Sequence, residues 1–142
     1  MIYDYSGKKV VAVLAENLSC SNALNVLGHM GIALGSQQLD DLLGRTDLFD
    51  RSGTRHAGIS RYALIILKTN RAKLRRLIGQ ARELDCLSII DFPEQMLLTG
   101  HDDELASCLQ LASESEITYL GALIFGDAQV INGLTSRFSL WR

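Results

Sequence analysis

The chain reads as an α/β protein, a β-sheet held between helical layers, and three observations predict it. Largely apolar runs recur at 9–14, 62–67, 87–91 and 119–125, the first of them rich in β-branched valine. They lack the polar alternation of a half-exposed strand, so they suit strands covered on both faces. Segments of helical period fall between and after them, and cap residues stand at the junctions. The resulting order, β-α-β-α-β-(α)-β-α, implies a mostly parallel sheet with right-handed crossovers. At 142 residues, 47% hydrophobic and 21% charged, the chain fits a single globular domain over 1–142. It shows no repeats, low-complexity segments or interdomain linkers.

The first strand is followed by a polar corner, Glu16-Asn17-Leu18-Ser19-Cys20-Ser21-Asn22. Ser19 or Ser21 suits a helix cap, because a hydroxyl accepts from the free N–H groups of a first turn. On the helix over 22–35, Ala23, Val26, Leu27, Met30, Ala33 and Leu34 form the core stripe. Gly28, Gly31 and Gly35 form a small-residue arc. An interior glycine costs a helix roughly 0.5–1 kcal/mol relative to alanine, so close approach of the sheet or of a second subunit is the expected compensation. Asn22, Asn25 and His29 fill the third arc.

Within residues 36–60, Gln38 to Leu43 suits an extension or restart of the helix, and Gly44, Gly53 and Gly58 punctuate a long loop; Arg51, Arg55, His56 and the adjoining Arg61 read as solvated loop charge. After the second strand, Asn70 suits a cap for a helix over about 71–85. Leu74, Leu77, Ile78, Ala81 and Leu84 line one side of it, and Arg71, Lys73, Arg75, Arg76 and Arg82 the rest. That basic face reads first as solvated surface, with contact to phosphate as its second reading. The third strand ends at Asp91, before Phe92 and the only proline, Pro93. Asp102, Asp103 and Glu104 suit the positive end of a short helix over 102–113. A last helix follows Gly126-Asp127, and the alternating tail Phe138-Ser139-Leu140-Trp141 is expected to dock its aromatics on the body.

Composition narrows the function classes. A net charge of −2 gives no electrostatic ground for tight, non-specific nucleic-acid binding. The opening Met1–Ser6 lacks the blocks of a signal peptide, and no apolar run approaches the roughly 20 residues that span a bilayer. Cys20, Cys86 and Cys108 show no zinc or redox spacing, so they read as free thiols in a reducing cytoplasm. No metal or cofactor is expected. The Gly-x-Gly-x-x-Gly turn, the Walker loop and the Gly-x-Ser-x-Gly elbow are all missing.

Ligands of open α/β sheets gather at the carboxyl ends of parallel strands. Glu16, Asn17, Thr69, Asn70 and Asp91 stand at those ends if the first three strands are parallel, with Ser19, Ser21 and Asn22 beside them. The candidate ligand-binding residues are therefore Asn22, Asn25, His29 and Asp91. Each has a plainer role as well. Asn25 suits a local cap and Asp91 a turn anchor, while His29 reads equally as a core histidine satisfied by a carbonyl.

Strand 9–14, the helical sequence Asn25-Val26-Leu27-Gly28-His29-Met30-Gly31-Ile32-Ala33-Leu34-Gly35, strand 63–68 and the ending Leu120-Gly121-Ala122-Leu123-Ile124-Phe125-Gly126 together resemble domain-of-unknown-function family 2000. That family is in turn similar to the type II peptidyl-tRNA hydrolase fold. The resemblance implies a three-layer α/β/α sandwich with a four-stranded mixed sheet whose last strand is antiparallel, and it implies homodimers, which the glycine arc suits. Type II hydrolases carry a lysine near the start of the first helix, where this chain has Asn22, and asparagine supplies no cation. They continue after the third strand's aspartate with glycine-arginine-threonine, where this chain has Phe92-Pro93-Glu94-Gln95. The reading that follows is a dimeric small-molecule or protein-binding module on this fold. The alternative is a hydrolase of an ester or amide such as peptidyl-tRNA, with His29 or Asp91 as base.

Overall fold

The computed structural model describes residues 6–142, so the first five positions of the opening segment lie outside the described residues. The first apolar run forms β1 (Lys8–Ala15) and leads through the polar corner into α1 (Cys20–Ser36). Ser19 is the cap: its Oγ accepts from the Asn22 N–H at 3.1 Å. Residues 37–63 contain a small hairpin, β2 (Leu48–Phe49) and β3 (Arg55–His56), where the sequence suggested only loop. Strands of two residues are too short to display a period. The turn between them is held by the Asp50 carboxylate, which accepts from the Ser52 and Thr54 N–H groups at 2.8 and 3.0 Å.

The chain continues through β4 (Leu64–Thr69), α2 (Arg71–Arg82), β5 (Ser88–Pro93), the short α3 (Gln95–Leu98) and α4 (Asp102–Gln110). It ends with β6 (Tyr119–Asp127), α5 (Ala128–Thr135) and β7 (Ser139–Leu140). Asn70 caps α2, accepting from the Lys73 N–H at 2.9 Å, and Asp127 caps α5 through the Val130 N–H at 3.0 Å.

The main sheet has five strands in the order β5-β6-β1-β4-β7, where four were expected. The extra strand is the alternating tail, which pairs Leu140 with Leu67 and Ser139 with Lys68. Strands β1, β4 and β5 share one direction, but β6 runs against them between β1 and β5. Only the β1–β4 pair is a parallel ladder, so the mostly parallel sheet drawn from element order gives way to a mixed one. A run buried on both faces looks alike in either direction, so the apolar pattern carries no sign of strand sense. Pro93 lies inside β5 rather than after it. It is tolerated because β5 is an edge strand and the register shifts between Phe92 and Pro93.

The two faces of the sheet hold separate cores. On one, Ala23, Val26, Met30 and Leu34 of α1 pack on Val10, Ala12, Leu14, Leu123 and Phe92. On the other, Leu74, Leu77 and Ile78 of α2 and Ile131 of α5 pack on Val11, Val13, Ala122 and Ile124. This is the α/β/α layering, and it puts neighbouring residues of each strand into opposite cores.

Tyrosine–carboxylate pairs tie the periphery to this frame. Asp41 accepts from Arg61 Nη1 at 2.7 Å and from the Tyr62 hydroxyl at 2.9 Å, and pairs with Lys8 at 2.7 Å. Glu114 accepts from the Tyr119 hydroxyl at 3.0 Å and pairs with Arg75 at 3.0 Å. Hydrogen bonds from Lys8 and Tyr62 hold the Asp41 carboxyl below its ordinary 3.8, against a smaller desolvation effect. The Tyr119 hydrogen bond does most to hold Glu114 below 4.5, with Arg75 and Arg82 assisting. Depressed folded-state pKa values mean that the unfolded chain takes up more protons across this range. The stability from both groups is present above the ordinary carboxylate values and is lost as pH falls through the folded ones. Urea midpoints measured down an acid series should therefore drop below the ordinary carboxylate range, and Tyr62→Phe should make that drop shallower.

Candidate functional site

A cleft of about 260 Å³ opens where α1 meets the free edge of β5. Met30, Ala33, Ile90, Phe92, Met96 and Leu105 give it apolar walls, and His29, Asp91 and Asp102 reach it as polar members. The His29 ring stands 6.3 Å from the Phe92 ring, tilted by 45°. It is exposed rather than buried, so it is not a core histidine. Its place follows from the helical period: Met30 is drawn into the core at 1% exposure, and the preceding residue comes to the rim.

The four candidate residues separate. His29 and Asp91 both border the cleft. Asn25 is exposed one turn nearer the start of α1, and Asn22 is exposed in its first turn. Neither asparagine lines the cleft. Asp91 approaches as part of the strand edge, because its side chain faces the other layer. It pairs with Ala122 across the ladder, in the core beneath α2, while Ile90 and Phe92 face α1.

On that far side the Asp91 carboxylate accepts from Arg82 Nη2 at 2.6 Å. Arg82 also donates to the Tyr119 hydroxyl at 3.1 Å, and its guanidinium lies 5.4 Å from the Tyr119 ring centre. Arg75 stacks on the same ring at 5.4 Å. Tyr119 is buried, and desolvation raises its phenol above the usual 10.0. The carboxylate at Asp91 is thus engaged in a charge-assisted network that fastens α2 to the sheet. It is not aimed at the His29 cleft.

The other strand-end residues meet as the parallel pair requires: the Glu16 N–H donates to the Thr69 carbonyl at 2.9 Å, next to the Asn70 cap. Strand β5 lies two places away across β6, so Asp91 is not part of that corner. The residues that sequence reasoning passed over are Met96, Asp102 and Leu105. Met96 belongs to α3, which the sequence did not mark, and Asp102 and Leu105 belong to α4, which it marked as a short helix with an acidic start but not as part of a site. Asp102 and Leu105 stand three apart on one helix face, a signal that was readable. That the face turns towards α1 was not. Among the described residues, no group of three or more histidine, cysteine or acidic side chains is arranged to hold a metal ion. Cys20, Cys86 and Cys108 are all free. No described helix is long and apolar enough to cross a membrane.

The chain matches the family described as "Protein of unknown function (DUF2000)" over residues 8–142, and it belongs to that family. No curated protein matches it. Among solved structures, a protein of unknown function from Agrobacterium tumefaciens shares the fold at a TM-score of 0.83. The two chains are 20% identical, with 96% of this chain and 98% of the other covered.

Proposed function

We propose that the protein is a homodimeric binding module, with a type II peptidyl-tRNA hydrolase-like fold, that takes a small ligand in the cleft at His29. The cleft carries this reading. Small-molecule sites are concave and mostly apolar, with a few polar groups that fix orientation, and this one sets the His29 imidazole among methionine, phenylalanine and aliphatic walls. Its volume of about 260 Å³ suits a ligand of modest size. His29 and Asp102 would orient it, and the strand edge at Asp91 would offer backbone groups. A binding role is favoured over hydrolysis because the Asp91 carboxylate is already paired with Arg82 and Asn22 stands where the hydrolase family has its lysine. Layers of helix on both faces of a mixed sheet, with β6 antiparallel, support the hydrolase-like fold.

The reading is tested by screening a library of small metabolites and fragments for thermal stabilisation of the wild-type chain and of His29→Ala. Ligands that stabilise the wild type should lose at least about tenfold in affinity in the variant, the magnitude of one or two good polar or stacking contacts. Ligands held equally well by both proteins would contradict it.

The dimer rests on the outer face of α1. A Cβ built at Gly28, Gly31 or Gly35 meets nothing within 4 Å, so the arc does not serve close approach to the sheet. Beside it Leu24 and Ile32 are 65% and 72% exposed. An apolar groove continues this surface past Leu27 and Leu34 to Leu43 and Leu64. Gly31→Ala should stabilise an isolated chain by roughly 0.5–1 kcal/mol, the usual gain in helix propensity. If a second copy packs there, the added methyl should instead weaken association, measured by sedimentation equilibrium.

A further inference from the structure

A cleft of about 360 Å³ lies on the opposite face of the sheet from His29, between α2 and α5. Its charge is one-sided. Lys73 and Arg76 come from α2, and Arg137 from just after α5. No ion pair joins any of these three to a carboxylate among the described residues, and no acidic side chain lines the cleft. The other side of α2 is the reverse: Arg75 and Arg82 are occupied by Glu114 and Asp91. A chain with a net charge of −2 has thus left three cations uncompensated at one concavity. Lys73 and Arg76, three apart on the helix, also repel one another.

We infer that this cleft binds a small phosphorylated molecule, a nucleoside diphosphate in chemical class, with Lys73, Arg76 and Arg137 on its phosphates. Arginine forks match phosphate oxygens in pairs, and lysine adds a mobile point charge. A phosphate monoester carries about −1.5 to −2 at neutral pH, so three free cations fit a diphosphate more closely than a single phosphate. The floor is apolar: Leu77 is buried, and Leu134 and Phe138 are half-buried. That floor offers a surface for a planar base beside the charged rim. The enclosure and the chain's negative charge favour a small ligand over a nucleic-acid strand. Gly133 opens the wall, since a Cβ there meets nothing within 4 Å. This inference is independent of the reading at His29, and the two sites fail or hold separately.

The test is calorimetric titration with ADP, inorganic pyrophosphate and adenosine. Arg76 and Arg137 are exposed and make no ion pair among the described residues, and Gly133 faces open space, so their variants should fold as the wild type does. ADP should bind more tightly than pyrophosphate, adenosine should not register, and added salt should weaken binding. Arg76→Ala, Arg137→Ala and Gly133→Glu should each weaken ADP by about tenfold or more, while His29→Ala should leave it unchanged. Absence of ADP binding at millimolar concentration would overturn the inference. So would unchanged affinity in the arginine variants, adenosine binding as tightly as ADP, or a single-stranded oligonucleotide that binds more tightly than ADP.

Discussion

Met30→Ala is expected to cost the fold about 2–5 kcal/mol, the range for truncating a fully buried side chain, and to widen the cleft beside His29. Met30 is 1% exposed and joins the core beneath α1 while one edge of it lines the cleft. Its terminal methyl sits over Gly121: a Cβ on that glycine would lie 3.0 Å from Met30 Cε and 2.9 Å from Val26 Cγ1. Gly121→Ala should therefore destabilise by about 1–3 kcal/mol through overpacking. In the Met30→Ala background part of that cost should vanish, because one of the obstructing atoms is gone. The measurement is a double-mutant cycle by urea denaturation, and strict additivity would show that α1 is not seated on Gly121. Ligands of the cleft should also tolerate bulkier groups in the Met30→Ala protein than in the wild type.

Arg82→Ala carries the second large effect, about 1–3 kcal/mol. It strips the Asp91 carboxylate of its 2.6 Å partner and takes a donor from the buried Tyr119 hydroxyl. Groups left without partners bear most of the cost of a broken hydrogen bond, and the partial exposure of Arg82 and Asp91 limits it here. Asp91→Asn should be milder, because a neutral amide oxygen still accepts from the guanidinium. If Asp91 acts through this network, neither change should alter affinity at the His29 cleft by more than the loss of stability explains. A selective loss of binding in Asp91→Asn, with the thermal midpoint unchanged, would instead assign its carboxylate to the ligand.

The sequence was informative where burial imposes a pattern. Strands β1, β4, β5 and β6 and helices α1 and α2 lie where apolar runs and the helical period put them, and Ser19 and Asn70 cap as their chemistry suggests. Local pattern was silent on strand direction, since an apolar run such as 119–125 has the same composition whichever way it points; only the family resemblance implied that this strand runs antiparallel. The pairs in β2, β3 and β7 are too short to carry any period. For the site, the helical wheel put Asn22, Asn25 and His29 on one stripe of α1, and of these His29 borders the cleft. Whether Asp91 faces them depends on strand parity: one residue earlier or later and its carboxylate would point towards α1. Parity is fixed by pairing with β6, a long-range contact that no local window contains. The basic face of α2 was legible, but its closure into a cleft was hidden for a similar reason, because Arg137 lies far along the chain from Lys73 and Arg76.

The central claim is that ligands enter between α1 and the β5 edge at His29, and ligand-detected chemical-shift mapping on isotope-labelled protein tests it most directly. Fragments that stabilise the protein should move the His29 ring protons together with the Met96 methyl and the amides of Ile90 and Phe92, and leave Gly133 and Arg137 still. Stabilising fragments that leave His29 and Met96 unmoved, while shifting resonances elsewhere, would contradict it.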